Sequence, residues 1–422
     1  MRKLEHIVIF ILLLFATGAG QAFFANPDMS STGTGQPVTE AIFALIYFLV
    51  ILFLVKYRTA ALRLMLTETW LAALCLWAMA SVAWSVNPEE SLRRALALIG
   101  TTIAGLYLGL HFEPKQQLKL IAYAIGLGAI ASVVVIIAVP SVGITSDGIQ
   151  GVYNLKNSLG RMMSLGALCF ALLVLGERRR RAVGIVMFLL CGALLVLSKS
   201  ATAIVVTILM MALLPFRTVL YLRSRQLLAA GAILIPLAAA ATFCVAESSQ
   251  EILRALGRSS SLSGRIPLWR LVLTSISDHP ICGYGFTAFW DSWKGERVSD
   301  TVKWGAAVPH AHNGFLEIWL GLGLIGLALI LINLLRNFLF SLRIARNSQE
   351  VEYSWPLLLV VFTVLYNLTE NSLPAVNTLP WIAYAAVGYW LARAAREQAA
   401  EPEPESDAER AYPVRGALNW VE

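Results

Sequence analysis

Twelve mostly apolar stretches recur along the chain, and they limit its fold more than any other feature. With edges good to a few residues they run 7–25, 38–55, 66–84, 95–111, 119–139, 158–175, 182–197, 201–216, 226–246, 314–335, 355–373 and 375–393. About 20 such residues cross the hydrocarbon core of a bilayer as a helix. A helix also satisfies its own backbone polar groups there. The expectation is therefore an all-α, polytopic membrane protein with about 12 transmembrane helices. Composition agrees: 58% of the 422 residues are hydrophobic and only 14% are charged, too few charges to clothe a soluble surface. Arg2 and Lys3 before the first stretch resemble the start of a signal peptide, but eleven further spans make that stretch the first anchor.

The basic residues orient the spans. With the N-terminus in the cytoplasm, the loops on that side carry 21 of the 33 Lys and Arg, including Lys56, Arg58, Arg63 and the Arg178-Arg179-Arg180-Arg181 run. That alternation satisfies the positive-inside rule and its mirror image violates it. Both termini are expected in the cytoplasm. The net charge of +7 is thus first a topology signal, and no nucleic-acid partner is expected. Residues 1–396 read as one membrane domain, and 397–422, with Glu401-Pro402-Glu403-Pro404-Glu405, as a disordered cytoplasmic tail. The five cysteines form no disulfide framework, and no Cys/His metal spacing or Walker loop is present, so neither a metal nor a cofactor is expected. Gly321, Gly323 and Gly326 read as close helix packing.

One long extracytoplasmic loop, about 247–313, separates the ninth and tenth spans. Connections of that length are usually functional. Residues Arg265 to Ser277 pattern as an amphipathic helix with Ile266, Trp269, Leu271, Leu273 and Ile276 on one side, Arg265 and Arg270 elsewhere, and Ser263 as N-cap. Twelve Lys and Arg lie outside, seven of them in this loop. Most are surface charge. Arg265 stands out, because a guanidinium at the head of an interfacial helix can fork onto phosphate oxygens. Lys199, in the short turn Ser198-Lys199-Ser200, and Arg161 lie beside apolar spans where a cation needs a reason. Arg93 and Arg94 begin a helix, the unfavourable end for cations; either an anionic ligand or the neighbouring Glu89 and Glu90 would account for them. His312, at the outer boundary of the tenth span, has a side chain suited to general acid–base work near neutral pH. Glu317 and Glu370 lie at the same level and could orient it, while His310 and a capping role for Asn313 belong to the same turn.

Cations at headgroup depth suit a substrate whose phosphates sit at the interface and whose tail lies in lipid. Trp84, Tyr153, Trp269, Tyr284, Trp290, Trp293 and Trp304 offer faces for sugar rings, as interfacial aromatics in general do. Glycosyl transfer from a lipid diphosphate is coherent with this set, the arginines neutralising the leaving diphosphate and a base accepting the acceptor's proton. A transporter or flippase of lipid-linked glycan needs the same cations but would place ionisable groups through the middle of several spans, where this chain has few. An intramembrane protease would need a nucleophile turn to pair with His312, and no Gly-x-Ser-x-Gly motif supplies one.

The motifs also resemble a family. His312-Asn313-Gly314-Phe315-Leu316-Glu317 followed by Gly321-Leu322-Gly323-Leu324-Ile325-Gly326 looks like the signature of the O-antigen ligase and polymerase family of bacterial inner membranes. Trp84-Ser85-Val86-Asn87-Pro88 with Ser91 and Arg93, Lys156-Asn157 with Leu159-Gly160, and Leu197 to Thr202 are similar to it as well. The resemblance covers roughly residues 70–390. It implies metal-independent transfer, on the periplasmic side, from an undecaprenyl-diphosphate-linked glycan. His312 and Arg265 take the catalytic places, and Lys199, Arg161, Arg93, Lys156, Asn313 and Glu370 the substrate-binding ones. Lys199 stands where many ligases look to have arginine, which keeps the charge and loses the fork. Ser261 to Trp269 and Gly283 to Trp290 look most like exopolysaccharide polymerases, which join lipid-linked repeat units, rather than ligases, which use lipid A-core as the acceptor.

Overall fold

The computed structural model describes residues 2–24, 37–146, 148–214, 265–302 and 308–400. The described chain is a bundle of helices. Its one sheet is a two-residue antiparallel ribbon that pairs Ile144 with Ile149 and Thr145 with Gly148. Six helices are long and apolar enough to cross a membrane: Val38–Val55, Pro88–His111, Pro114–Ala138, Lys156–Gly176, Arg178–Leu197 and Gly314–Asn347. Leu4–Ala16, Ala201–Leu213 and Val351–Asn367 are apolar but shorter.

The structure departs from the expected spans at both edges of the pattern. Stretch 66–84 is part of a broken pair, Arg58–Thr67 and Thr69–Trp84, bent by 88° at a buried charge, Glu68. If that pair counts as one span, the long spans number seven among the described residues. Stretch 375–393 starts late, at Leu379, and continues as helix to Ala400, past Glu397. The ninth stretch, Ser263 and the tail beyond Ala400 lie outside the described residues.

Small residues set the tightest packing. A Cβ added to Gly105 would lie 2.5 Å from the Ala385 Cβ, and one on Gly109 2.6 Å from the Ala386 carbonyl oxygen. Helices Pro88–His111 and Leu379–Ala400 therefore meet almost backbone to backbone, as membrane helices do through small residues. Gly321 and Gly323 do something else. Gly323 has φ 68° and breaks the long Gly314–Asn347 helix. Segment 280–285 docks against that break, backbone to backbone: Tyr284 N–H donates to Leu320 O (3.0 Å), Gly285 N–H to Gly321 O (2.9 Å) and Leu324 N–H to Pro280 O (2.9 Å). A side chain at position 323 would strike Ile281. The glycines thus serve a loop-to-helix junction, not a helix-to-helix one.

The motif around Trp84 completes this junction. Trp84 Nε1 donates to Cys282 O (3.1 Å), Val86 N–H to Tyr284 O (3.0 Å), and Ser91 Oγ to Phe286 O (2.9 Å). Helix Arg265–Asp278 buries Leu268, Val272 and Ile276 on a small separate core with Tyr284, Phe289 and Trp290. Leu273, expected on the apolar side, is 46% exposed. Arg265 lies on the inward face instead, because positions 265, 268, 272 and 276 share one side of a helix with a period of 3.6.

Candidate active site

The turn carrying His312 is clamped from three directions. Asn313 caps the Gly314–Asn347 helix, its Oδ1 accepting from Phe315 N–H and Leu316 N–H (both 3.0 Å). Its Nδ2 donates to Leu368 O (3.0 Å), so the whole amide is committed to protein. One turn into the helix, Glu317 reaches back and accepts from Ala311 N–H (2.7 Å) and Trp290 Nε1 (2.8 Å). Trp269 Nε1, from the Arg265 helix, donates to Ala311 O (2.9 Å). Between these anchors His312 adopts φ 49°, a left-handed conformation that non-glycine residues hold only where the surroundings enforce it. Its N–H donates to His310 Nδ1 (3.1 Å), which makes that nitrogen the acceptor and fixes the His310 tautomer.

Glu370 is the hub. It follows the Trp355–Asn367 helix in a loop pinned by Asn367, whose Oδ1 accepts from Ser372 N–H (2.7 Å). Gly314 abuts the Asn367 side chain so closely that a Cβ would not fit, which brings the Glu370 loop against the His312 turn. Arg265 Nη2 donates to Glu370 Oε1 at 2.9 Å, and Asn157 Nδ2 approaches the same oxygen at 3.5 Å. The other oxygen, Oε2, lies 3.6 Å from His312 Nδ1. Arg161 Nη1 donates to Asn371 O (3.4 Å) and its buried Nε makes no hydrogen bond. Burial alone would raise the Glu370 carboxyl, but His312 and the Arg265 charge outweigh it and hold it well below its ordinary range. Burial, then the neighbouring His312, push the His310 imidazole down, so it stays neutral at physiological pH.

The geometry sorts the expected residues. It brings His312, Arg265 and Glu370 into contact, with Arg161 one residue away through Asn371 and Lys156 beside Asn157. Glu370 pairs with the Arg265 guanidinium and lies beside His312, a placement that lets it orient both. Lys199 is exposed in a left-handed turn (φ 53°), and the turn is tied to the Glu370 loop by the Thr369 hydroxyl donating to Thr202 Oγ1 (3.2 Å). Arg93 is engaged elsewhere: it pairs with Glu40 and Glu90, and Arg94 pairs with Glu90 at 2.6 Å. Those acids account for the two cations at that helix start. Asn313 is a cap. His310 was weighed in the sequence only with the His312 turn, and Asn157 and the clamping role of Trp269 were missing from the expected set. Asn157 was legible only as the neighbour of Lys156, and the others need the fold.

His310, His312 and Glu370 offer three ligand atoms within 4.8 Å of one another, close enough to hold a metal ion. The charge balance argues against one. Glu370 already carries the Arg265 guanidinium, and Arg161 adds a second cation at the same place. A histidine oriented through Nδ1 by a carboxylate exchanges protons through Nε2. The cations beside it favour an anion, so the set suits a reaction that removes a proton and expels a charged leaving group.

Two comparisons bear on this arrangement. Residues 186–331, which include Arg265 and His312, match a family model described as O-antigen ligase. The chain is also 29% identical over 293 residues to the exopolysaccharide production protein ExoQ of Rhizobium meliloti (strain 1021). That alignment covers 65% of this chain and 65% of the relative, just under two thirds of each.

Proposed function

The two matches support an O-antigen ligase/polymerase-family protein, and from that premise we propose that it is an inner-membrane glycosyltransferase acting on the periplasmic side. Its donor is a glycan linked to undecaprenyl diphosphate. The acceptor is a sugar hydroxyl of a second lipid-linked repeat unit, which makes the enzyme a polymerase of exopolysaccharide or O-antigen type. The observation that carries the reading is the chain of contacts Arg265–Glu370–His312, one fixed cation and one oriented imidazole on the same carboxylate.

The chemistry follows from those contacts. The acceptor oxygen forms a bond to the anomeric carbon as the bond from that carbon to the phosphate oxygen breaks. The acceptor proton goes to His312, and the electron pair leaves with the lipid diphosphate. Arg265, Arg161 and Lys199 offset the charge that builds on the departing group. Glu370 steadies the imidazolium that forms. Neither a metal nor a nucleotide is required by this scheme.

Twelve spans remain the proposed count. They are the seven long spans, the three shorter apolar helices, the Leu379–Ala400 helix and the stretch 226–246. Both termini are then cytoplasmic and the His312 turn faces outward.

The test is a purified-protein assay with a synthetic polyprenyl-diphosphate oligosaccharide and a metal chelator. Transfer with chelator present, lost in both His312→Ala and Arg265→Ala, is the expected result. Full activity in both variants sinks the site assignment. A ligase reading is favoured by the description of the matching family model, and the ExoQ relative favours the polymerase. Supplying lipid A-core or a second lipid-linked repeat unit as competing acceptors in the same assay separates the two.

A further inference from the structure

Beside the His312 turn lies a small cavity with two unsatisfied polar atoms in its lining residues. Its volume is about 30 Å³, and Phe286, Thr287, Glu317, Leu322, Asn371 and Pro374 line it. Thr287 Oγ1 and Asn371 Oδ1 are buried and hydrogen-bond to nothing in the protein. Buried polar atoms are nearly always satisfied, so an orphan in each of two residues that line one cavity calls for a partner. Thr287 also has φ 58°, a left-handed conformation that a β-branched residue adopts only under strain. Strain of this kind concentrates at ligand clamps.

Two of the cavity's lining residues adjoin the reaction site. Asn371 follows Glu370 directly, and its carbonyl accepts from Arg161. Glu317, on the opposite wall, holds Ala311, the residue before His312. The chemistry of the walls selects the occupant. A hydroxyl and an amide oxygen bind neutral donors, and no lysine or arginine is among the lining residues to hold an anion. Ile318, Leu322, Leu373 and Pro374 supply apolar surface for C–H groups. A cavity of this size takes about two water-sized groups, so it admits a hydroxymethyl arm or a pair of hydroxyls and leaves the ring at the mouth.

We propose that this cavity is a hydroxyl-binding subsite for the acceptor saccharide, gripping one arm of the sugar while another of its hydroxyls meets His312. The proposal rests on the glycosyltransferase reading for its role but not for its test. The probe is an oligosaccharide cut from the polysaccharide that the producing bacterium secretes, labelled with a fluorophore at its reducing end. Its binding to the purified full chain is followed by anisotropy with no donor present, and thermal unfolding of each variant reports on the fold.

Thr287→Val keeps the β-branched shape and removes the hydroxyl, whereas Thr287→Ser keeps the hydroxyl. We expect Thr287→Val and Asn371→Leu each to weaken binding about tenfold, the usual weight of one hydrogen bond to a ligand, and Thr287→Ser to restore it. Equal binding by wild type and Thr287→Val overturns the subsite, as does no saturable binding by folded wild type. Equal loss in the Ser and Val variants would reduce Thr287 to a structural role and overturn it too. The two readings fail separately. If transfer is absent while the hydroxyl dependence of binding holds, the transferase reading falls and a saccharide site stands. If transfer proceeds and Thr287→Val leaves the acceptor KM unaltered, the subsite falls alone.

Discussion

Two of the arginine–carboxylate pairs among the described residues, Arg336–Glu68 and Arg265–Glu370, differ in their surroundings. Arg336 pairs with Glu68 at the bend of the broken span, on the same Gly323-broken helix as Glu317 but 19 residues further along. Asn333 Nδ2 donates to Glu68 Oε1 (2.5 Å), and Tyr384 OH donates to Asn333 Oδ1 (2.5 Å), with Asn337 bridging the two residues at 3.3 Å. Glu68 is completely buried; beside Arg336 its partner is the Asn333 amide, which the Asn337 amide and the Tyr384 phenol back in turn. Arg265–Glu370, by contrast, adds two histidines, a second arginine with an unused Nε, and a cavity with orphan polar atoms. The first network ends in amides and a phenol; the second ends in two imidazoles and a second guanidinium. An ion pair closed by amides holds helices together. One left open toward histidine and solvent is disposed for chemistry.

The contrast breaks if the two pairs respond alike to mutation. The largest effect is expected from Glu370→Gln, which removes the charge that orients His312 and pairs with Arg265. Transfer should fall on the order of 10²–10³-fold with the protein still folded, as read by single-turnover product formation. Glu68→Gln should do the reverse. It leaves Arg336 buried without its counter-ion, at a cost of about 3–5 kcal/mol, while activity per folded molecule persists. Thermal unfolding in detergent and specific activity measure the two halves of that statement. A Glu68→Gln protein that is stable but inactive would merge the two networks into one function.

Smaller changes sharpen the picture. Asn313→Ala removes a helix cap worth about 1 kcal/mol and frees the His312 turn from Leu368. Its kcat should drop more than its stability does, and a matched loss in both would mean that the cap only stabilises. The smallest effect is on pH dependence. The His310 pKa is lower in the folded than in the unfolded state, so between its ordinary value near 6.5 and its folded value the unfolded chain binds the extra proton. Stability is therefore full above about pH 6.5 and declines on acidification, by at most about 1.4 kcal/mol per pH unit. His310→Asn should flatten the unfolding temperature between pH 7 and pH 5; an unchanged slope would remove His310 from the account.

The comparison also shows which signals were local. The Arg265 helix was legible because apolar residues recur at helical spacing, yet its buried face was misjudged: Leu273 is exposed, and Leu268 and Val272, absent from the expected face, are buried. A stripe read from hydropathy cannot tell lipid from a protein neighbour, and here the neighbour is the small core around Tyr284 and Trp290. Arg93 was weighed as an anion site or a partner of Glu89 and Glu90. It pairs with Glu90 as that second option had it, and also with Glu40, 53 residues away, which no spacing rule connects to it.

By itself the sequence determined a helical membrane protein, because apolar runs of span length leave a chain few other solutions. It determined as well that His312 and Arg265 merit suspicion, since both are costly side chains beside a bilayer. Only the tertiary structure decided that they meet through Glu370. Three distant segments close on that carboxylate, and their closure depends on a cap, a close glycine contact and a broken helix rather than on any one motif. The cavity beside them has the same origin. Its lining comes from residues 286–287, 317–322 and 371–374, three segments far apart in sequence that become a site only where the chain folds them together.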